Sequence, residues 1–222
     1  MTRSSRFGSR GAGAGQPSAW LVAGMLALSA SACSILGGTR VPATVYAPQP
    51  AVQADRAWPR ADWQLAIARP EASRLLDGTR IAVRPTPGEL QVYKGASWAK
   101  SPADQLEDAV LRSLEDAGTP RGVARQGSGI AADYTLVMEL RRFESEYAGA
   151  DVPDAVVEVS AKLLSTRDQS VVASRTFVQR LKAPATDTAA VADTLGRALA
   201  QAARDIDGWV LASGNAAQRS AR

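Results

Sequence analysis

The chain has 222 residues, enough for one domain with a hydrophobic core and a tether. It contains no histidine, so the commonest general base and the commonest metal ligand in proteins are missing. The formal net charge is +4, but the first 32 residues contain three arginines and no acidic residue. The rest of the chain is close to neutral, which argues against a nucleic-acid-binding protein.

The first 32 residues have the pattern of a secretory signal peptide. An apolar run over 19–28 is too short to span a bilayer, and the small residues of 29–32 suit a signal peptidase. Cys33 follows, and as the only cysteine it has no partner for an internal disulfide. The segment ending in Cys33 resembles a lipobox, with Ala30 where Leu is usual. We therefore predict removal of residues 1–32 and lipidation of Cys33; the alternative is an ordinary secretory signal with a stray cysteine.

The residue after the cysteine indicates which membrane holds the anchor. In lipoproteins of diderm bacteria an Asp at this position usually retains the protein in the inner membrane, and here the residue is Ser34. We therefore expect a lipid-anchored protein of the outer membrane whose domain faces the periplasm.

The mature chain divides into three predicted parts. Residues 33–60 are rich in Pro, Ala, Gly and Thr and are predicted to form a flexible tether, with a short strand near 44–46. Residues 61–213 are predicted to form the globular domain. The polar residues 214–222 are predicted to form a disordered tail.

The first half of the domain combines short strands with a helix. Strands are predicted over 64–68, 80–84 and 89–93, from apolar alternation and the prolines nearby. A helix is predicted from Ser101 to Gly118, because a capping hydroxyl and a proline precede apolar residues at helical spacing, and a glycine ends the pattern.

The second half is predicted to hold three long strands and a final helix. Alternating apolar residues begin at Tyr134, Val157 and Val171, and the hairpin connection between the last two predicts an antiparallel sheet. The apolar phase shifts at Phe143, which indicates a bulge or an edge. A long helix begins near Thr186, and its apolar stripe is interpreted as the cover of a sheet face rather than a lipid or partner site. The predicted fold is a two-layer α/β domain, a mainly antiparallel sheet with two amphipathic helices on one face.

Catalytic motifs are not found. The sequence has no G-x-S-x-G, P-loop or G-x-G-x-x-G string, and acylation of Cys33 would leave no thiol. The carboxylate pairs Glu107-Asp108 and Glu115-Asp116 are interpreted as charges on a solvated helix face. We therefore predict a protein that is not an enzyme and that uses no cofactor or metal.

Three segments carry a resemblance to a known family. The segments 76–85 (LDGTRIAVRP), 89–90 (EL) and 93–99 (YKGASWA) resemble the ABC-type transport auxiliary lipoprotein family, to which the paraquat-inducible lipoprotein C group belongs. Val92 replaces one of two adjacent aromatic residues in the family pattern, and Ser97 stands where a basic residue is common. The resemblance extends over about residues 46–211.

The resemblance implies a function in transport between membranes. Family members accompany mammalian-cell-entry (MCE) proteins and an inner-membrane ABC permease and ATPase, in systems that move lipids or other hydrophobic compounds. The lipoprotein would dock the transporter at the outer membrane, and a homo-oligomer stays open. Tyr93 and Trp98 are candidate partner-binding residues, because Trp and Tyr dominate interface hot spots. Burial in the core is the alternative for both.

Other functions stay open at this point. A lipoprotein that scaffolds or activates cell-wall or outer-membrane assembly enzymes would show the same pattern. A lipid-binding shuttle with its own pocket is a third hypothesis, and an enzyme is the last.

Overall fold

The computed structural model of the protein describes residues 43–49 and 51–220. The predicted signal peptide, Cys33 and the first part of the predicted tether lie outside these residues. Along the described chain, the elements are β1 (Thr44–Tyr46), β2 (Gln64–Ile67), β3 (Glu71–Ala72), β4 (Arg80–Arg84), β5 (Gln91–Trp98), α1 (Pro102–Ala117), β6 (Gly122–Arg125), β7 (Tyr134–Glu146), β8 (Asp154–Ser165), β9 (Val171–Lys182) and α2 (Thr188–Ser220).

Strand β7 is the centre of a mixed sheet. Its alternating apolar residues face the core, and one edge pairs with β8 in antiparallel fashion; β8 then pairs with β9. Along its other edge the short strands β2, β3 and β4 follow one another, all parallel to β7. The sheet continues from β2 to β6, and from β4 through β5 to β1. The predicted α/β class with a mainly antiparallel sheet and two helices is confirmed.

The predicted break in the apolar phase of β7 is a β-bulge. The pairing with β8 shifts register between Leu140 and Arg142, so Leu140 and Phe143 both reach the core. A bulge adds one residue to a strand and therefore restores the buried face beyond the insertion.

Helix α1 has the predicted ends. Ser101 accepts a hydrogen bond from the Asp104 backbone N–H at 3.2 Å, and Pro102 occupies the first turn. Gly118 ends the helix at φ +62°, a backbone conformation that favours glycine. Its buried residues Leu106, Val110 and Leu114 join the same core as α2 and the sheet.

Two predicted boundaries are corrected by packing. Helix α2 continues to Ser220, with Gly214 buried, so residues 214–220 are helical rather than a disordered tail. The predicted strand near 44–46 exists as β1, but it pairs with β5, and the chain that follows packs on the domain. The domain therefore begins at β1, and the predicted tether is too long. None of the helices in the described residues is long and apolar enough to cross a membrane.

Candidate functional site

Trp98, a predicted partner-binding residue, lies in the core. Its side chain is 2% exposed at the end of β5, and its ring packs edge-on against Phe143 with 5.6 Å between ring centroids. Its backbone N–H donates to the Thr79 carbonyl at 2.7 Å. The partner-binding interpretation of Trp98 is therefore wrong, and core packing, the alternative, holds.

Tyr93 is half-buried in the same strand. Its hydroxyl lies 3.0 Å from the Ser145 hydroxyl. Burial raises the pKa of Tyr93 to about 12, although the hydrogen bond with Ser145 lowers it in part. The phenol is therefore protonated at neutral pH, and only part of its ring is open to a partner.

The segment that follows β1 runs along α2 in the same direction as the helix. At three points a ring of this segment lies directly over a glycine of α2. A larger residue in place of that glycine would collide with the ring. A Cβ on Gly196 would lie 2.9 Å from Pro48 Cβ, and one on Gly208 would lie 2.9 Å from Trp58 Nε1. A Cβ on Gly214 would overlap the indole of Trp63. We call residues 47–49 and 51–63 the strap.

Polar contacts also hold the strap on α2. Arg204 donates to the Asp55 carboxylate at 2.6 Å, in a pair that is about half exposed. Near the end of the helix, the Asn215 side chain accepts a hydrogen bond from the Trp63 indole N–H at 2.8 Å. Its amide N–H donates a second hydrogen bond to the Arg60 carbonyl at 2.9 Å. Because Asn215 makes both bonds, the last two turns of α2 are part of the domain.

The sheet face opposite the helices carries an ion-pair network. Its members come from β4, β7, β8 and β9: Arg84, Arg142, Glu144, Glu146, Asp154 and Arg180. Glu144 is 4% exposed at its side chain and accepts from Arg84 at 2.8 Å and from Arg142 at 2.7 Å. Arg180 donates to Glu146 at 2.6 Å and to Asp154 at 3.3 Å.

Hydrogen bonds within this network favour the charged forms of Glu146 and Arg142. Burial alone would raise the pKa of Glu146, but its hydrogen bonds to Arg180 and Arg142 outweigh burial and lower it. Burial would lower the pKa of Arg142, and its bonds to Glu144 and Glu146 raise it instead. Through these charge-assisted hydrogen bonds the network ties four strands together.

The carboxylates predicted on a solvated face divide into two cases. Glu115 and Asp116 are exposed, as predicted. Glu107 is buried, and Asp108 is largely covered; both pair with Arg125 of β6, and Asp108 also accepts from Lys100 at 2.6 Å. This pair therefore joins α1 to the sheet edge instead of facing water.

A buried carboxylate lies between the two helices. Asp207 of α2 is 0% exposed, and one of its oxygens accepts from the Ser113 hydroxyl of α1. Among the described residues its other oxygen has no hydrogen-bond partner. Burial raises the pKa of Asp207 well above its ordinary value, with the Ser113 bond opposing in part. Asp207 is therefore held toward its neutral form inside the helix layer.

A small cavity of about 220 Å³ lies between the start of the strap and α1. Its walls include Pro48, Lys100, Gln105, Ala109 and Arg112. This cavity is smaller than the ~300–1,000 Å³ typical of small-molecule sites, whereas a cleft of about 550 Å³ beside Val172 and Ala217 and one of about 590 Å³ beside Trp58 and Arg60 reach that range. The described residues also contain no group of three acidic, Cys or His side chains that could hold a metal ion.

Sequence reasoning missed the strap, the ion-pair network and Asp207. A signal existed for two of them: Gly196 and Gly208 within one predicted helix, and the charged run RRFESE within a predicted strand. Asp207 carries no such signal, because a single acid on a helix is usually exposed.

Comparison with known proteins decides the family. A family model described as the ABC-type transport auxiliary lipoprotein component matches residues 44–207. The chain belongs to this family. The match starts where β1 starts, so the strap lies within the family's domain.

Solved structures agree with this assignment. A crystal structure of a Xanthomonas campestris protein, assigned to family DUF330, is 50% identical with a TM-score of 0.77, and the alignment covers 80% of this chain and 99% of that one. A hypothetical protein from Chlamydia trachomatis shares the fold at 10% identity and a TM-score of 0.51, covering 70% of this chain and 99% of that one. No curated protein matches the chain.

Proposed function

We propose that the protein is a non-enzymatic lipoprotein subunit of an MCE-type transport system that moves lipids or other hydrophobic compounds between envelope membranes. The family match over residues 44–207 carries this proposal, because the family is named for lipoproteins that assist ABC-type transporters. The matched family name mentions neither an MCE partner nor a lipid cargo nor docking at the outer membrane. These three features are proposed here.

Cys33 is the proposed lipid anchor. It is the only cysteine in the chain and directly follows a signal-like segment. The proposed direct partner is an MCE protein, and through it an inner-membrane permease and ATPase supply the energy. Tyr93 stays a proposed contact residue because part of its ring is accessible, whereas Trp98 is withdrawn from that role.

Affinity purification from envelopes tests this function. The full-length lipoprotein, carrying a C-terminal tag, is extracted in mild detergent, and mass spectrometry identifies what is retained. We expect an MCE protein together with its permease and ATPase. Cys33→Ala is the matched control, because lipoprotein signal peptidase requires the diacylated sulfur, so this variant should accumulate as the unprocessed precursor. If no MCE protein is retained while a known envelope complex survives the same extraction, the proposed function is wrong.

A further inference from the structure

Strand β9 forms a long free edge of the sheet, which we call the β9 edge. Among the described residues this strand pairs only with β8, and its 12 residues include no proline or glycine. The other strands with a single neighbour, β1, β3 and β6, are two to four residues long. Proteins usually shorten a free edge or interrupt it with proline, because it can pair with another strand. The β9 edge has neither of these protections.

The hydrogen-bond pattern shows which backbone groups of β9 point outward. The Ala183 N–H donates to the Pro153 carbonyl at 2.9 Å, so the backbone groups of residue 183 face β8. In an antiparallel pair this direction alternates along the strand, and the register with β8 is unbroken from Lys182 back to Ala173. Alternate residues of β9 therefore direct their N–H and C=O groups away from β8. These residues are all exposed, and they are Ser174, Thr176, Val178, Arg180 and Lys182.

Apolar side chains are exposed along the same strand. Val171 is 57% exposed and Val178 is 54% exposed, and they are two of the four large apolar side chains that are exposed in the described residues. On the helix side of the strand, Phe177 packs edge-on against the partly buried Trp209 of α2, with 5.6 Å between ring centroids. An added strand would therefore find apolar contacts on both faces of the sheet.

The charged side chains of β9 are all cations. The strand contains no Asp or Glu, and its cations are Arg175, Arg180 and Lys182. Arg180 is already paired with Glu146 and Asp154. Arg175 and Lys182 have no salt bridge within the described part of the chain, and both are exposed. The β9 edge therefore carries positive charge that the domain does not neutralise.

These charges distinguish between two kinds of added strand. A second copy of β9 would place its cations opposite cations or uncharged residues, so no ion pair could form between the two strands, and like charges directly opposite are destabilising. An acidic strand would gain an opposite-charge pair with Arg175, whose guanidinium lies 5.1 Å from the centre of the Phe177 ring, and attraction from Lys182.

We propose that the β9 edge binds an extended acidic segment of another protein, which joins the sheet as a further strand. The outward backbone groups of β9 bind this segment by hydrogen bonds. Its acidic side chains pair with Arg175, and its apolar side chains pack beside Val178 on the other face of the sheet. This binding site does not depend on the partner being an MCE protein.

Amide exchange with a defined peptide tests the proposal. The probe is a short synthetic peptide that alternates valine and glutamate, and the matched control peptide carries lysine in place of glutamate. NMR follows the exchange of individual amide protons in the full mature lipoprotein in detergent. We expect the acidic peptide to slow exchange at Ser174, Thr176 and Val178 and to bind about fivefold more tightly than the basic peptide.

Substitutions in β9 connect the effect to this edge. Thr176→Pro removes an outward N–H and leaves the donors to β8 in place, a position where an edge strand tolerates proline. It should abolish peptide binding, whereas Thr176→Ala keeps the N–H and should bind the peptide as the wild type does. Arg175→Glu should reverse the preference and favour the basic peptide, and it tests the site even if Thr176→Pro does not fold.

Three results would overturn the proposal. In the first, neither peptide slows exchange at these amides at millimolar concentration. In the second, Arg175→Glu leaves the preference for the acidic peptide unchanged. In the third, sedimentation equilibrium without peptide shows a dimer whose formation protects the same amides, which would mean that a second copy of the chain occupies the β9 edge.

Discussion

Trp98 lies at the end of β5, and its buried ring meets Phe143 of β7, the second strand along the sheet. Replacing a buried Trp by Ala removes a large apolar surface and leaves a cavity. We expect Trp98→Ala to lower the free energy of unfolding by roughly 3–5 kcal/mol, measured by urea denaturation of the domain without its signal. Tyr93→Phe is the matched comparison, because it removes only the hydroxyl bonded to Ser145 and should cost about 1 kcal/mol. An unchanged urea midpoint for Trp98→Ala would contradict the burial of this side chain.

Asp207 gives the stability of the domain a specific pH dependence. Because its folded pKa is raised, the folded state holds this proton where the unfolded state, with a pKa of about 3.9, has lost it. The stabilising contribution is therefore complete below about pH 4 and is lost as the pH rises toward the folded pKa. We expect Asp207→Asn to remove a slope of up to about 1.4 kcal/mol per pH unit from the free energy of unfolding over this range.

The control for Asp207 lies on the same helix. Asp205 is exposed and accepts from Gln179 at 2.7 Å. Denaturation curves collected from pH 4 to pH 8 should keep the wild-type slope in Asp205→Asn. If Asp207→Asn also keeps it, the carboxyl between the helices is not held neutral.

At the scale of elements, the strap packs so closely on α2 that replacing a glycine of this helix by alanine should destabilise the domain, although alanine has the higher helix propensity. Gly→Ala in a helix interior ordinarily stabilises by about 0.5–1 kcal/mol. At Gly214 the added methyl would meet the buried Trp63 indole, so we expect Gly214→Ala to destabilise the domain by roughly 1–3 kcal/mol. Thermal unfolding measures this effect.

Gly208→Ala is the graded comparison for this prediction. Its methyl would meet Trp58, which is only partly buried and has more room to move. The cost at Gly208 should therefore be smaller than at Gly214. If Gly214→Ala raises the melting temperature, Trp63 does not pack on α2 in the way described.

Short sequence patterns predicted helix α1 and the bulge in β7, because neighbouring residues in the chain determine both features. The cap, proline and glycine of α1 fixed both of its ends, and the phase shift at Phe143 predicted the bulge in β7. The strap was mistaken for a tether because prolines and small residues are typical of flexible chain. Its structure comes from contacts with α2 about 150 residues away, such as Arg204 with Asp55, and no local pattern contains them.

At the scale of the whole molecule, the candidate site was less predictable than the fold. Trp98 and Tyr93 share one strand and are both aromatic, yet one is buried and the other is half-exposed. Only their tertiary contacts separate them, such as that of Trp98 with Phe143. The ion-pair network depends on the register of four strands, so its charged residues were visible in the sequence and their pairing was not.

Genetic epistasis tests the proposed transport role most directly, because two proteins can associate without sharing a pathway. The measurement is the sensitivity of growth to detergent in strains lacking this protein, the proposed MCE partner, or both. The account predicts that each single deletion increases sensitivity and that the double deletion is no more sensitive than the MCE deletion alone. A double deletion with clearly additive sensitivity would place this lipoprotein outside the MCE pathway and contradict the account.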